Sequence, residues 1–329
     1  MVGHLDPAHS SNGTRHTLEY VASPVIRAPW VRPILVANLV AQLLIIVTGG
    51  VVRLTGSGLG CPDWPTCAQG SLTPVAEQAE GFRKFIEFGN RTLTGVLVVI
   101  AGLALVAVYQ HFPRRRGMIR LAWFIIAMIT AQAVVGGITV WTGLNPLIVA
   151  FHFLASIVLV AAATALLRGS HDGHEGGARV RIVHPWAARL GWVAFAVGFV
   201  VMVLGTIVTG SGPHSGDAKA PARTGFDPRV VSWLHADVVM LFIGVALATL
   251  VAIRLGQTAS TVTVTAAETE RARHTWHMVL VITALQGVLG YVQFFTGLPA
   301  VIVGTHMLGA GLLAMALTNG TLNLYRNPV

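Results

Sequence analysis

Apolar residues in this chain fall into long, nearly unbroken runs. They do not follow the every-second or every-third-or-fourth spacing of half-buried elements. Eight runs stand out, roughly 31–52, 87–110, 118–141, 147–168, 186–209, 229–254, 274–296 and 300–322. Each matches the length of about 20 residues that a helix needs to cross a bilayer. The pattern predicts an all-α integral membrane protein with eight spanning helices. Three connections, "HFPRRRGMIR", "RGSHDGHEGGARVRIVH" and "RLGQTASTVTVTAAETERARH", carry most of the arginines. Basic residues collect in cytoplasmic loops. Placing these loops and both termini inside puts 15 of the 22 Lys and Arg there and seven outside. The expected topology is therefore N-in, C-in.

Composition strengthens this picture. Of 329 residues, 54% are hydrophobic and 11% charged, with a mean hydropathy of +0.69. A soluble domain carries about 25% charged residues, so water cannot be the main solvent here. The net charge of +9 is explained by topology rather than by nucleic acid. The first thirty residues are polar and mixed, unlike a cleavable signal peptide.

The two halves of the chain match each other. "TGSG" occurs at 55–58 and again at 209–212. "AQAVVGGITVWTGLNPLIVAFHFLAS" at 131–156 aligns without a gap to "LQGVLGYVQFFTGLPAVIVGTHMLGA" at 285–310. A single offset of 154 residues pairs Gln132 with Gln286, Thr142-Gly143 with Thr296-Gly297, and His152 with His306. Four helices per half is an even number, so both halves cross in the same sense. This is a parallel repeat of two four-helix bundles. The expected divisions are a cytoplasmic tail (1–30), an N-terminal half (31–168), a cytoplasmic linker (169–185), a C-terminal half (186–322) and a C-terminal tail (323–329).

Candidate chemistry gathers at one end of the helices. The only cysteines, Cys61 and Cys67, lie in "GSGLGCPDWPTC" at 56–67, on the expected outer side. Neighbouring cysteines outside the cytoplasm tend to form disulfides, here either a structural staple or a labile, redox-active pair. Ionisable groups inside spanning helices suggest function by default. Three of the 13 histidines lie within apolar runs: His152, His235 and His306. Each sits a few residues into a helix that enters from the outer side, within about 10 Å of its end. His235 and His306 come from the second and fourth helices of one half, an arrangement suited to holding a b-type haem between two imidazoles. In the other half His152 matches His306, while the position of His235 is taken by Asn90. Glu87 precedes Asn90 by three residues and shares its helical face. It is a candidate acid or base, or an interfacial carboxylate paired with Arg91 or Arg83.

Taken together, "GGVVRLTGSGLGCPDWPTC", "EFGNR" and the histidines of helices four, six and eight resemble haem A synthase, with an actinobacterial cast, over roughly residues 30–322. The resemblance implies oxidation of the C8 methyl of haem O to a formyl group, giving haem A for cytochrome oxidase. It implies haem b held by His235 and His306 in the C-terminal half. It places the substrate haem in the N-terminal half, with Glu87 and His152 in catalytic positions and His152 on the substrate iron. The family's Glu-x-x-His motif ends here in Asn90, which leaves one face of that iron without its second histidine. Arg53 and Arg91 are candidates to pair with propionates, since guanidinium suits carboxylates, or are ordinary interfacial arginines. Trp64 would cover a porphyrin edge or anchor at the interface. Expected partners are haem O, a haem O synthase, an unidentified electron donor and the lipid of the cell membrane, with no nucleic acid. The alternatives are a b-type cytochrome passing electrons between quinol and the outer thiols, and a transporter built on the repeat.

Overall fold

The computed structural model describes residues 29–171, 179–217, 219–256 and 264–326. Among them are eight long helices: α1 (Val31–Leu54), α2 (Arg83–His111), α3 (Arg116–Trp141), α4 (Pro146–Gly169), α5 (Pro185–Ser211), α6 (Pro228–Leu255), α7 (Ala266–Phe295) and α8 (Ala300–Leu322). All eight are long and apolar enough to cross a membrane. Large apolar side chains such as Val99, Met240 and Leu241 stand more than half exposed in the middle of their helices, a surface suited to lipid. The protein is a multi-pass membrane protein.

Helix starts follow local chemistry. Prolines at 146, 185 and 228 occupy first helical positions, where a missing N–H costs nothing. Just before them, Asn145 accepts from Leu147 N–H, His184 from Trp186 N–H, and Asp227 from the N–H groups of Arg229 and Val230. One boundary departs from the hydropathy reading. α7 begins at Ala266, eight residues before the expected 274. Thr265 and Glu268 form a reciprocal capping box that starts the helix in polar sequence, so two turns precede the apolar run.

α1 to α4 pack as a ring of neighbours, and so do α5 to α8. α1, α4, α5 and α8 form the seam between the two rings. Glycines bring α1 and α8 close: a methyl added at Gly304 would lie 3.1 Å from Leu54, and one at Gly311 3.0 Å from Leu43. The turns α3–α4 and α7–α8, 154 residues apart in sequence, share an unusual backbone. Gly143 and Leu144 both have positive φ, 60° and 58°, as do Gly297 and Leu298, at 79° and 63°. Leucine is rarely left-handed, at a cost of order 1 kcal/mol. The N–H of Leu144 donates to Thr139 O, and that of Leu298 to Gln293 O, both at 2.8 Å.

The seam is bonded at both ends. At the end carrying the cysteines, Gly58 N–H donates to Gly216 O at 2.9 Å. Half-buried Arg53 donates from Nε to His214 O at 2.7 Å and from Nη2 to Thr209 O at 2.9 Å. At the opposite end, Arg168 Nε donates to Asn323 Oδ1 at 3.2 Å. There β1 (Val180–Arg181) pairs antiparallel with β2 (Tyr325–Arg326). This short ladder joins part of the expected linker to part of the expected C-terminal tail. Nearly all of the expected N-terminal tail, and residues 172–178 of the linker, lie outside the described residues.

Candidate functional site

His152 and His306 are the seventh residues of α4 and α8, and His235 the eighth of α6. At about 1.5 Å rise per residue, all three lie at similar depth near the disulfide end. Each ring rests beside a glycine on a neighbouring helix. A methyl at Gly136 would lie 3.5 Å from His152 Cε1, one at Gly290 3.7 Å from His306 Cε1, and one at Gly205 3.3 Å from His235 Cε1. The approach is tight at Gly205 and an ordinary contact at Gly136 and Gly290.

A glutamine fixes the backbone of two of these histidines. Gln132 Nε2 donates to His152 O at 2.8 Å and to Ser156 Oγ at 2.8 Å. Gln286 Nε2 donates to His306 O at 2.9 Å. The Gln on α3 or α7 thus sets the depth of the next helix, and the Gly four residues on lies beside its imidazole. The sequence alignment paired the glutamines, but the glycines' role could be seen only in three dimensions.

The Nδ1 atoms of His152, His235 and His306 are buried with no hydrogen bond of normal geometry among the described residues. His235 and His306 lie within electrostatic reach of each other. Two buried imidazoles from facing helices, with polar atoms unsatisfied, fit the axial pair of a haem. Among the described residues no group of three or more His, Cys, Asp or Glu is placed to hold a bare metal ion.

The matching position in the N-terminal ring is built differently. Asn90 is the eighth residue of α2, as His235 is of α6, and its Oδ1 is buried and unpartnered. Glu87 is 5% exposed. Its Oε2 accepts Cys61 N–H at 2.7 Å, and its Oε1 accepts from Arg91 Nε at 3.0 Å and Nη2 at 2.5 Å. Arg91 also donates from Nη1 to Asp63 O at 2.9 Å and Thr66 O at 3.0 Å, and from Nη2 to Cys61 O at 2.7 Å. A guanidinium has five N–H donors, and these contacts use all five.

All five Arg91 donors meet Glu87 and the loop carbonyls, and Arg53 directs two of its donors to carbonyls across the seam. Of the two readings of Glu87, the pairing with Arg91 is present, and it extends into the loop. Cys61 and Cys67 are joined as a disulfide and almost fully buried. Gln78, which the sequence did not single out, seats the loop further by donating Nε2 to Gly60 O at 2.5 Å. Nothing short of the folded loop would have shown its partner, 18 residues away.

Comparison with known proteins places this arrangement. The model of the family described as COX15-CtaA, cytochrome oxidase assembly protein, matches residues 32–318. The chain belongs to this family. The protein from Lysinibacillus sphaericus called heme A synthase is 35% identical over 132 residues, 40% of this chain and 42% of that one. Those of Geobacillus kaustophilus and Listeria welshimeri, with the same name, are 32% identical over 110 residues and 30% over 132. The matches span 33% to 42% of the length of these relatives. The family match, by contrast, takes in every helix and both histidine-bearing ends described above.

Proposed function

We propose that this chain is a haem A synthase, oxidising the C8 methyl of haem O to a formyl group. One observation carries the reading. The same Gln, Gly and His framework occurs in both rings, but only the ring of α5 to α8 has a second histidine. The other ring has Asn90 there, with buried Glu87 beside it and a disulfide loop bonded above. One site is suited to hold a haem permanently; the other is suited to receive one and act on it.

On this reading His235 and His306 hold haem b, which supplies electron transfer when bound. His152 would hold the iron of substrate haem O, and Asn90, at the position matching His235, would offer it only a weak ligand. Glu87 keeps a carboxylate at the mouth of the site and can hold or pass a proton there. Methyl to formyl is a four-electron oxidation, and the net change R–CH3 + O2 → R–CHO + H2O balances with dioxygen as oxidant. The arginine-rich loops favour N-in, C-in topology in the cell membrane, with the disulfide loop outside. A haem O synthase is the expected supplier of substrate.

The test is to express the chain with a source of haem O, purify it, and identify the extracted haems by chromatography and mass. Haem A with haem b is the expected result. Haem b alone, beside unconverted haem O, would favour an electron-transfer cytochrome instead.

A further inference from the structure

Trp64 stands at the tip of the ring closed by Cys61 and Cys67, and its side chain is inserted rather than splayed outward. Its indole lies flat against α3 at Gly137, where any added methyl would fall far inside contact with the ring. Gly136, the next residue, is the glycine beside His152. The Trp64 and His152 rings therefore rest on adjacent residues of one helix. One turn further along α3, Trp141 meets Trp64 edge to face, with centroids 5.2 Å apart and planes at 86°. Trp141 Nε1 also donates to Trp64 O at 3.2 Å. Arg91 and Glu87 fix the same ring of residues from α2.

The C-terminal ring keeps the histidine glycine and lacks the notch. At the 154-residue offset Gly136 corresponds to Gly290, but Gly137 corresponds to Tyr291 and Trp141 to Phe295. Tyr291 instead stacks on Phe295, 6.3 Å between centroids, and is half exposed. The dock for an indole is thus built once, on the side whose histidine has no histidine partner. A tryptophan seated beside the residue proposed to meet the substrate iron can offer its ring to the face of a flat ligand.

We propose that Trp64, seated in the Gly137 notch, is the wall of the substrate site that retains haem O against His152. This rests on the assignment of that ring as the substrate site. Trp64 acts as a positioning residue: it bounds the space in front of His152 and keeps water from the reacting edge. The resident haem b, on the other ring, is outside its reach.

The test compares Trp64→Ala, Trp64→Phe and Gly137→Ala in the full-length, detergent-solubilised protein loaded with haem O. The absorption spectrum of haem b on His235 and His306 checks that each variant is folded. Trp64→Ala and Gly137→Ala should each release haem O about tenfold faster than the parent, the scale of losing one buried aromatic anchor, with Trp64→Phe between. The double variant should be no worse than Trp64→Ala alone, because both changes remove one contact. Equal release rates in Trp64→Ala and the parent, with haem b intact, would overturn the proposal. So would additive effects in the double variant. Release is measured without turnover, so a parent that binds haem O but makes no haem A would sink the synthase assignment while the rates still judge Trp64.

Discussion

Glu87 Oε2 accepts the backbone N–H of Cys61 at 2.7 Å, although 26 residues separate them in sequence. The carboxylate at the mouth of the N-terminal ring is therefore also the anchor of the disulfide loop. Glu87→Gln keeps the shape and removes the charge from contacts worth about 1.5–3 kcal/mol each when charge-assisted. The variant should retain haem b, form little haem A, and exchange the Cys61 amide hydrogen faster. Native exchange together with full product would show that neither the charge nor the anchor matters.

Arg91→Lys should not be a mild change. Lysine is a compact point charge that cannot reproduce five fixed donors in a plane. The carbonyls of Cys61, Asp63 and Thr66 would lose their shared partner. The loop should open more often, and a mild thiol reductant should cleave the disulfide roughly tenfold faster, about 1.4 kcal/mol of lost protection. An unchanged reduction rate would mean that the loop holds itself.

The two glycines beside His235 and His306, the histidines proposed to hold haem b, should differ in tolerance. Alanine at Gly290 would place its methyl 3.7 Å from His306, an ordinary contact, whereas at Gly205 it would lie 3.3 Å from His235. Gly205→Ala forces the imidazole to shift by tenths of an ångström; Gly290→Ala does not. Electron paramagnetic resonance of oxidised haem b should change in the first variant and not in the second. The reverse order would refute the His235 geometry.

Gln132→Leu and Gln286→Leu each remove a hydrogen bond to a histidine carbonyl, about 1 kcal/mol apiece. Their consequences should separate by ring. Gln286→Leu should shift the haem b spectrum and midpoint potential. Gln132→Leu should leave both alone and weaken haem O binding. A haem b shift in Gln132→Leu would show that the sites are not independent.

Much of this architecture was legible in the residues because lipid imposes a simple code. Eight apolar runs became eight helices, and the three histidines interrupting those runs came out at matched depth. The start of α7 was misplaced because hydropathy reports the bilayer, whereas Thr265 and Glu268 start the helix outside it. The roles of Arg53 and Arg91 were hidden for another reason. Their partners are backbone carbonyls, which every residue carries, so no pattern of side chains marks them. Gly205, close under the His235 ring, was equally silent: a missing side chain leaves its signature only in the neighbour that fills the space.

The bonded seam has a mechanical consequence. Arg53, Gly58 and Gly216 join the two bundles at one end, and Arg168 and Asn323 join them at the other. Bonds at both ends of the seam oppose the tilting of one bundle against its twin, the motion by which an internally duplicated membrane protein would open first to one compartment and then to the other. The duplication sets two histidine-bearing rings side by side, one with Glu87 and Asn90 in its lining and the other with a second histidine.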